Sequence, residues 1–94
     1  MNNNITSQLM VISIKESTGR IHKIEVELIN TIKEIKEKLQ LKGIPSQFQR
    51  LFHDGRHLED HNTLNHYNLN SETEIYLDLK GLKFIITIII FNIT

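Results

Sequence analysis

The stretch Thr31-Ile32-Lys33-Glu34-Ile35-Lys36-Glu37-Lys38-Leu39-Gln40-Leu41-Lys42-Gly43-Ile44-Pro45 is where the chain changes its hydrophobic period. Ile32, Ile35 and Leu39 fall at i, i+3 and i+7, one face of an amphipathic helix. Lys33, Glu34, Lys36, Glu37 and Lys38 fall on the wet side. Thr31 and Glu34 fit a capping box, in which the hydroxyl covers a free amide and the carboxylate reaches back. Gly43 suits the C′ position, Ile44 packs back on the last turn, and Pro45 prevents continuation.

Upstream, the period is two. Met10, Ile12 and Ile14 alternate with Val11 and Ser13, and a second run, Arg20 to Leu28, sets Ile24, Val26 and Leu28 against Lys23, Glu25 and Glu27. Between them lies Glu16-Ser17-Thr18-Gly19, with Gly19 supplying the positive φ of a bulged turn. Downstream the pieces are short. Gln49 to His53 is a brief strand, Asp54-Gly55 a hairpin turn, and Arg56 to Leu58 the return. Thr63 to Leu69 reads as an irregular or 3₁₀ segment. Glu74 to Leu79 is the cleanest strand, with Ile75, Leu77 and Leu79 facing in. The expected fold is α+β: a mixed sheet of about five strands with one helix across it.

Size and charge narrow the function. The chain has 94 residues, enough for one small core. It contains no cysteine, which excludes disulfides, thiolate zinc sites and a cysteine nucleophile. Eleven basic residues balance eleven acidic ones, so the footprint of a nucleic-acid binder is missing. Isoleucine occurs sixteen times and alanine never, a bias that leaves single isoleucines with little functional weight. Residues 1–9 read as a polar disordered tail without the pattern of a secretory signal.

These residues also carry a resemblance. Ile44-Pro45, Gln49-Arg50-Leu51, Leu58-Glu59-Asp60, Thr63-Leu64 and Tyr67-Asn68 follow the ubiquitin pattern in order and spacing. Met10, Lys15, Thr18-Gly19, Glu25-Val26-Glu27 and Thr31-Ile32 match upstream. Residues 10–80 thus resemble the ubiquitin family, with one residue missing between Gln40 and Gly43. The helix, Ile32 to Lys38, also resembles the close ubiquitin relative that modifies cullins, and both alternatives stand. The resemblance implies a ubiquitin-like β-grasp that acts by being bound, not as an enzyme, without cofactors. It implies a monomer in cytoplasm and nucleus, with ubiquitin-pathway enzymes or receptors as partners.

Departures from the family decide more. Conjugated relatives end in a thin arm closing in Gly-Gly, whose carboxylate is joined to lysine. Here the arm position reads Leu79-Lys80-Gly81-Leu82-Lys83, and no Gly-Gly occurs in the sequence, Gly81 being the nearest glycine. The expectation is a degenerate or truncated modifier, or alternatively a non-conjugated adaptor that binds the proteasome or ubiquitin receptors. The positions matching the family's aliphatic receptor patch are Ser17, Phe52, Tyr76 and Asp78, flanked by Arg50. Alternation with Leu51, Ile75 and Leu77 exposes Phe52 and Tyr76, and two aromatics beside an arginine suit an interface. Asp78 adds a desolvation cost for a partner built around an aliphatic side chain. Lys15, Lys36 and Lys38 match acceptor lysines of ubiquitin chains and Lys42 lies near another, whereas Arg56 and Ser71 replace two more.

His53, His57 and His61 stand four apart, but Asp54-Gly55 breaks any helix between them, so no metal site is expected. His22 falls where the family has an inward aliphatic residue, at the edge of the core. The run Phe84 to Thr94, within the atypical tail 81–94, is too short for a membrane span and has the composition of an aggregation-prone strand. It admits three readings: sequence translated past an exon boundary, a tail contacting lipid or a partner, or a further strand.

Overall fold

The computed structural model describes residues 8–79 and Ile90. Strand β1, Leu9–Glu16, starts one residue inside the expected tail and runs two residues beyond Ile14. It turns back into β2, Ile21–Glu27, through a loop in which Gly19 adopts φ 97° and its amide donates to the Glu16 carbonyl at 2.9 Å. That positive φ is the one the bulged turn requires.

Helix α1, Ile32–Gln40, begins at the expected cap. The Glu34 amide donates to Thr31 Oγ1 at 3.2 Å, and the Thr31 amide donates to Glu34 Oε1 at 2.8 Å. At the far end the Gly43 amide donates to the Gln40 carbonyl at 2.9 Å and the Ile44 amide to that of Leu39 at 3.4 Å. This crossed pair, with Gly43 at φ 96° and Ile44 against the core, is the glycine-terminated ending read from the sequence.

After a single 3₁₀ turn, Ser46–Phe48, come β3, Gln49–His53, β4, Arg56–His57, and β5, Glu74–Leu79. Asp54 and Gly55 both have positive φ, the signature of a two-residue turn whose twist matches its strands. His53, His57 and His61 therefore fall on a hairpin and the loop after it. Among the described residues no cluster of three His, Asp or Glu side chains is placed to hold a metal ion.

The sheet order is β2-β1-β5-β3-β4, with β1 and β5 parallel and the other pairs antiparallel. Its inner face contributes Ile12, Ile14, Ile24, Val26, Leu51, Ile75 and Leu77 to the core, and α1 adds Ile32, Ile35 and Leu39. Leu58, Leu64 and Leu69 close the open side from the segment between β4 and β5. That segment is bonded back to α1: the amides of Ile32 and Lys33 donate to the carbonyls of Asn62 and Asp60 at 2.9 and 3.0 Å.

One helix position differs from the expectation. Lys36 is not on the wet side but only 8% exposed. Its place one residue past Ile35 turns it toward the β4–β5 segment, where Asp60 receives its ammonium.

Candidate binding face of the sheet

Among the described residues the helix packs on one side of the sheet and the other side is left open. Its outward residues are fixed by alternation: Ser13 and Lys15 on β1, Arg50 and Phe52 on β3, Glu74, Tyr76 and Asp78 on β5. Register places several of them in one transverse row. Lys15 pairs with Ile21 on one side and Tyr76 on the other, Tyr76 with Phe52, and Phe52 with His57. One pleat away, Arg50 is opposite Asp78. Ser17 is exposed in the first turn.

The two aromatics differ in surroundings. Tyr76 is 45% exposed, and its hydroxyl donates to Glu74 Oε1 at 2.7 Å. That bond, reinforced by the charge of Glu74, raises the phenol above the usual tyrosine range and keeps it a neutral donor. Phe52, expected to stand exposed, is half-buried. Its ring tilts against His57, with centroids 5.3 Å apart, and the Arg50 guanidinium lies 5.7 Å from its centroid. Arg50 in turn forms an ion pair with Asp78. The apolar patch is thus partly covered by its own neighbours. Alternation carries the outward direction of Phe52 and not the cross-strand pair that draws Arg50 over it.

The candidate acceptor lysines separate. Lys15 lies half-buried on the outer face, Lys38 half-buried in the last turn of α1, and Lys42 exposed beyond it. Lys36 is buried and engaged. Arg56 stacks its guanidinium 5.0 Å from the Tyr67 centroid. Gly81 and, apart from Ile90, the run from Phe84 lie outside the described residues. No helix among the described residues is long and apolar enough to cross a membrane.

The model of the ubiquitin family matches residues 12–80. The chain belongs to the ubiquitin family. Its five strands and single helix are the ubiquitin-like β-grasp. The NEDD8-like protein RUB3 of Arabidopsis thaliana is 41% identical over 71 residues, covering 74% of this chain and 91% of that protein. The ubiquitin-like protein NEDD8 of Dictyostelium discoideum is 31% identical over 71 residues, 74% of this chain and 92% of the other. A ubiquilin of the same organism is 34% identical over 74 residues, 78% of this chain but 14% of that protein.

Two features of this ubiquitin-like domain were not legible as such. His22 is buried, and its Nε2 pairs with the carboxylate of Glu16, the residue next inward on β1 after Ile14. The odd histidine was visible; its partner was hidden because Glu16 reads as the start of a turn. Gln49 is also buried, its Nε2 donating to the carbonyls of Lys36 at 3.0 Å and Ile44 at 2.9 Å. It joins the helix to the loop after it. The only signal was a polar residue in phase with Leu51.

Proposed function

We propose that this chain is a degenerate modifier of the protein-tagging pathway: a ubiquitin-like domain, without catalysis of its own, that works by being bound. The observation that carries this reading is the open face of the sheet. Phe52 and Tyr76 stand directly opposite each other on adjacent strands, with Arg50 alongside. Aromatic and arginine side chains dominate interface energetics, and the open face of a sheet gives them a rigid platform. Ubiquitin-pathway enzymes or receptors are the partners this face serves.

Loss of conjugation rests on the residues that follow β5. Transfer of a terminal carboxylate through an adenylating centre and a thioester needs a thin, unhindered arm, which glycine alone supplies. Lys80-Gly81-Leu82-Lys83 offers branched and charged side chains there instead. A second reading, a non-conjugated adaptor, is favoured by the ubiquilin match, in which similar sequence forms 14% of a longer chain.

The test is a non-reducing gel of protein, ATP and a ubiquitin-type or NEDD8-type activating enzyme. The 94-residue chain should give no thiol-sensitive adduct, while a version ending in Gly-Gly after Lys80 should give one. An adduct from the unaltered chain would overturn the reading.

A further inference from the structure

The covering of Phe52 is built from an ion pair that spans two strands. Arg50 on β3 and Asp78 on β5 are register partners, and their side chains meet on the outer face. The pairing draws the guanidinium of Arg50 across the strand axis and over the ring of Phe52, two residues along. Arg50 Nε is buried there without an acceptor. The guanidinium therefore depends on Asp78 and on the ring for its place.

Resting on the reading of this face as a docking surface, we propose that Asp78 is its specificity-determining residue. Through Arg50 it keeps Phe52 covered, so that the face turns away partners offering only an aliphatic side chain and admits those that bring a carboxylate beside one. To reach Phe52, a partner must move the guanidinium, and an aliphatic group gives nothing back for the lost ion pair and cation–π contact. A partner carboxylate takes over Arg50 with a charge-assisted bond. Asp78, half-exposed, then returns to water at little cost.

The other charges on the face agree with an acidic partner. Glu74 is engaged by the Tyr76 hydroxyl, and Asp54 faces His53 at 3.7 Å. Lys15, in register with Tyr76, has no ion pair among the described residues. A cation without an ion pair thus stands beside the aromatics and Glu74 next to them is engaged, while on β2 of the same face Lys23, Glu25 and Glu27 have no ion pairs among the described residues. Charge complementarity of this kind sets partner choice more than raw affinity.

The experiment uses the whole chain and two short helical peptides, identical except for a glutamate or a glutamine beside a leucine. Binding is followed by NMR titration for the wild type, Asp78→Val, Arg50→Ala and Phe52→Ala, with melting curves to confirm that each is folded. The wild type should prefer the glutamate peptide by roughly tenfold. Arg50→Ala should reduce that preference to what Lys15 alone supplies, and both Arg50→Ala and Asp78→Val should bind the glutamine peptide more tightly than the wild type does. In the free protein, the Arg50 δ-protons should show an upfield ring-current shift that shrinks in Asp78→Asn. Equal wild-type affinity for the two peptides would overturn the proposal, as would an Asp78→Val that gains nothing toward the glutamine peptide. Phe52→Ala judges the underlying reading separately. If it binds the glutamate peptide as well as the wild type does, the face is not the docking surface. Failure of both peptides with every variant would overturn both.

Discussion

Lys36 Nζ donates to Asp60 Oδ1 at 2.6 Å, joining a buried residue of α1 to an exposed one in the segment after β4. The Asp60 carbonyl also accepts from the Lys33 amide at 3.0 Å, so one residue holds the first two turns of the helix, by backbone at Lys33 and by side chain at Lys36. The ammonium is desolvated, and the carboxylate is its compensation.

Removing one partner should therefore differ from removing the other. Asp60→Asn leaves a buried cation without its counter-charge and should cost about 1–3 kcal/mol. Lys36→Met keeps the stem's packing and should cost less. Urea unfolding of both variants checks the order; equal costs would show that Lys36 is solvated. The same burial makes Lys36 a poor acceptor in the folded chain, so conjugation to it should trail that to exposed Lys42 in mass-spectrometric mapping.

Glu16 and His22 form a second polar pair, with His22 buried and Glu16 half-buried. Glu16→Ala leaves the imidazole of His22 inside the hairpin without its partner, and should destabilise by about 1–3 kcal/mol. The double change Glu16→Val, His22→Val replaces both with strand-forming apolar residues and should recover most of that loss. Thermal melts of the single and double variants form the test. A double variant no better than Glu16→Ala would mean that the pair is not what the site requires.

The helix cap gives a pH dependence with a definite sign. The Thr31 amide, donating to the Glu34 carboxylate, holds that group below the usual glutamate range. The folded chain thus takes up this proton less readily than the unfolded one, whose glutamate titrates near ~4.3. Stability from the cap is complete above that value and falls away as the pH drops through the folded value. In urea melts taken downward from about pH 5, Glu34→Gln should lose less stability than the wild type over that window. Parallel curves would contradict the assignment.

The local rules that need only neighbours in sequence were readable from the chain. Thr31 and Glu34, Gly19, Asp54-Gly55 and Gly43 each act within a few residues, and each appears in the fold as expected. What escaped depends on partners distant in sequence. Lys36 and Asp60 are 24 residues apart and Arg50 and Asp78 are 28 apart. Lys36 stands at i+4 from Ile32, at the edge of the apolar stripe, and Arg50 keeps the outward direction that alternation gives it, but neither pairing leaves a trace in periodicity. The direction of the Phe52–Tyr76 face was thus legible, while its covering was not.

If this outer face is where the protein is bound, titrating a ubiquitin-receptor domain into the isotope-labelled chain should trace it. Amide shifts should concentrate on Lys15, Arg50, Phe52, His57 and Tyr76 and leave α1 unmoved. Phe52→Ala should weaken the complex by about 1–3 kcal/mol while melting close to the wild type. Leu77→Ala, from the buried side of the same sheet, should lose about 2–5 kcal/mol of stability. Shifts centred on α1, or a Phe52→Ala that melts as early as Leu77→Ala, would contradict it.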